Sequence, residues 1–214
     1  MFAFASPRCS HNAVTSETGR VEAFSDGVFA IAITLLVLDI KVPSGSAGPL
    51  GPALRSEWPF YAAFLLSFAF IGIMWINHHR LFTQIQRSTN TLMVLNLLLL
   101  LGVTVVPFTT AVLSAYLATG EAKTAALLYN ATYVVIAIFF NLLWGYAVSA
   151  RLLHESAQDA AHITRQYAFG PLLYMVCFGL VWVSVAASLI LNCCLALFFA
   201  LPPQVAAKVR RQRV

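Results

Sequence analysis

From residue 20 onward the chain is a succession of long apolar runs separated by short polar connections. The runs are Arg20–Ile40, Trp58–Phe82, Asn90–Leu117, Thr124–Leu152 and Phe169–Leu201. Crossing a hydrocarbon core takes roughly 20 residues of helix, and every run meets that length. The last run is too long for one crossing and holds no charge. Splitting it near Ala186 to Ser188 gives two helices joined by a tight turn. The pattern predicts an all-α integral membrane protein with six transmembrane helices per chain.

The charges between the runs orient the bundle. With the N-terminus inside, Arg8, Arg20, Arg80, Arg87, Arg151, Arg165, Lys208, Arg210, Arg211 and Arg213 all lie on the inner side. Only Lys41, Arg55 and Lys123 lie outside. Cytoplasmic loops collect Lys and Arg, so both termini are expected in the cytoplasm of a multi-pass cell-membrane protein. The two basic ends share a side only if the number of crossings is even. The connection KVPSGSAGPLGPALRSEW, rich in Pro, Gly and Ser, reads as an external loop. Residues 150–166 carry mixed charge and read as a short amphipathic inner helix. Residues 1–19 read as a disordered polar leader, 20–206 as the membrane domain and 207–214 as a basic cytoplasmic tail.

Composition sharpens the class. Hydrophobic residues make up 60% of the chain and charged residues 10%, with a mean hydropathy of +0.80. Soluble domains carry about 25% charged residues, so the chain is one membrane bundle with no room for a second soluble domain. The net charge of +5 does not point to nucleic acid, because the basic residues form no aromatic-interleaved patch. The four cysteines, Cys9, Cys177, Cys193 and Cys194, make no C-x-x-C spacing and read as small hydrophobes. The leader lacks the apolar core of a secretory signal.

Chemistry concentrates at the start of the first helix, in RVEAFSDGVFAIAITLLVLDIKVP. At 100° per residue Phe24, Ile31, Leu35, Leu38 and Val42 share one narrow face. Asp26 points nearly opposite. A carboxylate turned to lipid is costly, so Asp26 is expected to face neighbouring helices. Candidate partners lie on the second run, in FIGIMWINHHRLF. Trp75 stands three and four positions before His78 and His79, one helical turn away. These residues share the inner depth of Arg20, Ser25 and Asp26, and their polar groups can satisfy one another there. Adjacent histidines point about 100° apart, poor spacing for chelation, and no third ligand follows. The Ile/Leu face is, on periodicity alone, as compatible with lipid or core as with a pore.

Arg20-x-x-x-Phe24-Ser25-Asp26 resembles the RxxxFSD signature of the transmembrane-protein-175 potassium channels. The continuation to Pro43, the Gly72-x-x-Trp75-x-x-His78-His79 pattern, and the third run with Asn96 and Val106-Pro107-Phe108 are also similar. The resemblance implies a homotetrameric cation channel, not an enzyme, needing no cofactor beyond its permeant ions. The first helices would line the pore and bulky apolar side chains would form the constriction. Carried onto this chain, those positions are Ile31, Leu35 and Leu38, with Thr34 a further pore-side candidate. Arg20, Ser25 and Asp26 would join Trp75 and a second-run histidine in a network that holds the pore helix. No TVGYG filter is present. An apolar constriction offers no carbonyl cage, so K+ should pass more easily than Na+ only by a modest margin. Four copies of Asp39 at the outer end would make a cation-concentrating ring, unless Asp39 pairs with Lys41. Asn96 and Thr104 are expected to make helix–helix hydrogen bonds.

Two other classes compete. A proton-coupled transporter could relay protons through Asp26 and His78 or His79, but inverted repeats and broken midplane helices are not evident. An intramembrane hydrolase would need histidine between serine and aspartate, whereas Ser25 and Asp26 are adjacent.

Overall fold

The structure, a computed structural model, describes residues 11–43, 49–154 and 160–200, with side chains from Thr18 onward in the first helix. The described residues are almost entirely helical. Helix α1 spans His11–Leu35 and tightens into a 3₁₀ turn at Leu36–Asp39. Helix α2 is short, Leu50–Ser56. Three long helices follow: α3, Trp58–Phe82; α4, Asn90–Tyr116; and α5, Ala122–Ser149. The last third comprises α6, Ala160–Ala168; α7, Gly170–Leu180; and α8, Val185–Ala200. Four segments are long and apolar enough to cross a membrane: Thr18–Asp39, α3, α4 and α5.

Local chemistry sets the boundaries. Pro59 sits in the first turn of α3, where its missing N–H costs nothing. Thr89 caps α4 by accepting from the Leu92 amide at 3.2 Å. Pro107 lies inside α4 without ending it. Thr109 and Thr110 both donate their hydroxyls to the Val106 carbonyl, at 3.1 and 2.8 Å, beside the site of the missing amide. Phe169 interrupts the chain between α6 and α7, and Pro171 opens α7.

Three expectations shift. Helix α1 begins at His11, inside the stretch read as a leader; no Pro or Gly stands between His11 and Thr18 to oppose it. The helix ends at Asp39, so Val42 lies in extended chain and not on the helical face predicted for it. The break in the last run falls at residues 181–184, not at Ala186 to Ser188. The Ser184 hydroxyl caps α8 by accepting from the Ala187 amide at 3.2 Å. Ser188 instead sits inside α8, buried, donating to the Cys177 carbonyl at 2.7 Å and holding α8 against α7.

The core lies where α3, α4 and α5 meet, around Ile71, Leu99, Val103 and Leu143. Gly102 permits the α4–α5 approach: a Cβ there would stand 2.7 Å from Ile136 Cγ1. Helix α1 packs on α3 and α4, whereas α7 and α8 pack on α5 and α3. The connections after α3 and after α5 are joined by backbone bonds, Gln86 N–H to the Leu152 carbonyl at 2.8 Å and His154 N–H to the Gln84 carbonyl at 2.9 Å.

Candidate functional site: the first helix and its anchors

Helix α1 has two unlike faces. On one, Ser25 and Leu36 are 0% exposed and Phe29 and Ala32 2% exposed. On the other, Phe24 is 56% exposed, Ile31 62%, Leu35 42% and Leu38 74%. Ala23, Gly27, Ala30 and Thr34 are exposed beside them. The spacing of three and four residues makes this one continuous apolar stripe with a single hydroxyl. Thr34 donates that hydroxyl to the Ala30 and Ile31 carbonyls at 3.0 and 2.9 Å. Its oxygen lone pairs remain turned outward.

The opposite face is fastened by polar contacts. Trp75 Nε1–H donates to Asp26 Oδ1 at 2.8 Å, tying α1 to α3. Asn96 on α4 donates from Nδ2 to Ser25 Oγ at 2.9 Å, and Ser25 donates onward to the Val21 carbonyl at 2.8 Å. Asn96 Oδ1 in turn accepts from His78 Nε2 at 2.9 Å. One amide thereby joins α1, α3 and α4, buried throughout. With Nε2 protonated, His78 Nδ1 is a bare acceptor, and it is buried without a partner. The ring stacks on Phe82 with centroids 4.4 Å apart. His79 points elsewhere, and its Nδ1 meets Glu22 Oε1 at 2.5 Å, a charged pair only when the imidazole is protonated and the single such contact among the described residues.

The predicted residues therefore separate. Ser25, Asp26, Trp75 and His78 sit on the anchored side, and both histidines engage α1 or its partners by different routes. Phe24 stands on the exposed stripe. Arg20 is exposed too, beside an open groove edged by Ser88, Thr89 and Asn96, and makes no ion pair with a described residue. Lys41 lies over the Phe60 ring, 5.7 Å from its centroid, and makes no pair with Asp39. Thr104 bonds only the Leu101 carbonyl of its own helix, so the expected helix–helix bond is absent there.

Sequence reasoning missed Glu22, although it lies three and four positions before Ser25 and Asp26 and so shares their face. It also missed two buried polar clusters deeper in the bundle. The Thr110 and Ser67 hydroxyls meet at 2.7 Å; Ser67 and Tyr129 hydroxyls meet at 3.0 Å; Tyr133 donates to Tyr129 at 3.3 Å. Asn192 donates to Asn130 at 2.9 Å. These fasten α3, α4, α5 and α8. Among the described residues no group of three or more His, Cys, Asp or Glu side chains could hold a metal ion.

Residues 20–107 match the family model described as "Endosomal/lysosomal potassium channel TMEM175". The chain is 51% identical to a potassium channel of Chamaesiphon minutus, over 87% of this chain and 95% of that one. It is 47% identical to a potassium channel of Streptomyces collinus, over 86% and 92%. Its fold superposes on the crystal structure of a lysosomal potassium-selective channel TMEM175 homolog from Chamaesiphon minutus, with a TM-score of 0.81 and 49% identity. That superposition covers 86% of this chain and 97% of the other.

Proposed function

The chain belongs to the TMEM175 family, and on that footing we propose that it is a potassium-permeable cation channel whose α1 helices, one from each of four identical chains, surround the conduction path. The observation that carries this reading is the asymmetry of α1: an apolar stripe left bare on a helix whose other face is fixed by polar bonds to α3 and α4. Small residues at Ala23, Gly27 and Ala30 let like helices approach closely. Ile31, Leu35 and Leu38 then form the constriction, which passes ions when wide enough to stay wet. Thr34 presents oxygen lone pairs beside Leu35. Asp39, without a cationic partner among the described residues, is available as a negative ring at the outer mouth.

Asp26, Ser25 and His78 are positioning residues in this reading. They fix the rotation of α1 so that the stripe meets the axis. No TVGYG filter exists in the chain, so discrimination rests on hydration and favours K+ over Na+ modestly. Taking α6 with α7 as one crossing and α8 as another gives six, with both termini at the cytoplasmic face of the cell membrane.

The test is flux through purified protein in liposomes, comparing K+, Na+ and a large organic cation. Passive flux ordered K+ above Na+, with the large cation excluded, is expected. A second reading has its own observation: Glu22, Asp26, His78 and His79 gather where α1 passes the C-terminal end of α3. Flux that saturates and demands a proton gradient would make those four a relay in a coupled transporter.

A further inference from the structure

Away from α1, the bundle contains a narrow crevice open to one side. It lies between α3, α5, α7 and α8, with α6 at one end, and no residue of α1 or α4 lines it. Phe70, Tyr133, Phe140, Tyr174 and Phe199 make most of its wall. Tyr174 and Phe199 stack almost parallel, with centroids 6.1 Å apart and planes at 12°. Such a wall is apolar, and most of its side chains are buried within the bundle apart from the open side.

One end of the crevice is different. Asn77 lines it and donates to the Phe199 carbonyl at 3.4 Å. One turn further along α3, Arg80 Nη1 donates to Asn77 Oδ1, also at 3.4 Å. Tyr167 of α6 also lines the crevice. Arg80 meets no carboxylate among the described residues. It stands at the end of α3 assigned to the cytoplasmic side, where anionic headgroups lie against bundles with basic pockets between helices.

We propose that this crevice is a binding site for an anionic phospholipid, with an acyl chain along the aromatic wall and the phosphate on Arg80. The orientation rests on the inner-side reading above; the binding does not depend on the pore. Charge selects the occupant. Residues 201–214 carry Lys208, Arg210, Arg211 and Arg213 and no acidic side chain. A basic segment of that kind offers Arg80 no counter-charge, whereas a phosphodiester can accept two N–H groups of the planar guanidinium in a bidentate fit.

Native mass spectrometry of delipidated full-length protein, titrated with phosphatidylglycerol or phosphatidylcholine, tests the site without reading ion flux. One phosphatidylglycerol per chain should be retained about fivefold more tightly than phosphatidylcholine. Arg80→Gln should remove that preference and leave weak binding of both lipids. Ala137→Phe, which fills the middle of the crevice, should abolish both. Equal retention of the two lipids by the unaltered protein, or a preference that survives Arg80→Gln, would overturn the proposal. Should Ala137→Phe fail to fold, Arg80→Gln decides alone.

Discussion

Helices α1 and α5 are both apolar from end to end, and the bundle uses them in opposite ways. About a fifth of the α1 span is buried within the chain, 22%, against 56% of the α5 span. Tyr129, Tyr133, Leu143 and Trp144 of α5 are 2% exposed or less. On α1 the large side chains Phe24, Ile31 and Leu38 are more than half exposed. In water, hydrophobicity would separate an inner from an outer helix. In lipid it does not, because the surroundings are as apolar as the core. The distinguishing mark is where the polar atoms sit. On α5 they reach three neighbouring helices, whereas on α1 those bonded to other helices gather on one face and leave the other without an interhelical bond among the described residues.

The comparison breaks hardest under a single substitution made in both places. Ile136 on α5 is 3% exposed and Ile31 on α1 62%. Ile136→Asn removes buried volume and inserts an unpaired amide, so it should lose about 3–5 kcal/mol and most of the folded yield. Ile31→Asn should stay within about 0.5 kcal/mol of the unaltered protein in a denaturant titration. It should instead wet the constriction, raising K+ flux in liposomes or lowering its preference over Na+. Equal destabilisation at both sites would erase the distinction between the helices. Unchanged flux would remove Ile31 from the pore.

Gly102→Val probes the buried side from the facing helix. The added side chain would enter the space of Ile136, and overpacking of this kind costs about 1–3 kcal/mol. The same change at Gly27, where nothing lies within 4 Å in the chain, should leave folding of the monomer intact but hinder assembly. A thermal midpoint that falls for Gly102→Val and a multimer peak that shrinks for Gly27→Val would together separate packing within the chain from packing between chains.

Asp26→Ala acts on the anchor. It strips the acceptor from Trp75 Nε1–H, an interhelical bond worth about 1 kcal/mol in membrane proteins. Freed to rotate, α1 should no longer present its stripe uniformly, and the peak of the proposed tetramer on size exclusion should shrink. Asp26→Asn keeps an oxygen acceptor and should retain the peak. A normal peak for Asp26→Ala would show that the carboxylate does not position the helix.

How much of this the sequence discloses follows from the same physics. The long spans were legible because length and charge exclusion define them: α3 runs from Trp58 to Phe82, as the hydropathy pattern predicts. The turn before α8 was not, since the run around it is uniformly apolar and only the Ser184 cap marks the break. At the site, the Asp26–Trp75 contact was legible because a carboxylate at that depth requires a donor. The three-helix junction at Asn96 was half legible. A lone amide in LNLLLLL must bond across helices, but sequence does not say that it takes both Ser25 and His78. The hydroxyl cluster of Ser67, Thr110 and Tyr129 was opaque, because single hydroxyls are as readily satisfied by their own helix.

The smallest expected effect tests the one polar position on the bare face. Thr34→Val replaces a hydroxyl with a methyl of nearly the same shape. The bonds it removes are to carbonyls of the preceding turn, which remain bonded within the helix, so stability should move by less than about 0.5 kcal/mol. If Thr34 faces the conduction path, its loss removes four oxygen acceptors from beside the Leu35 constriction. A partly dehydrated K+ would then lose a contact worth about 0.5 kcal/mol, and the K+/Na+ flux ratio should fall about twofold. Leu36, two residues further and 0% exposed, offers the opposing control: its truncation to Ala should lower stability and leave the ratio of the folded fraction unchanged. A Thr34→Val ratio equal to that of the unaltered protein would turn this hydroxyl, and the face that carries it, away from the ions.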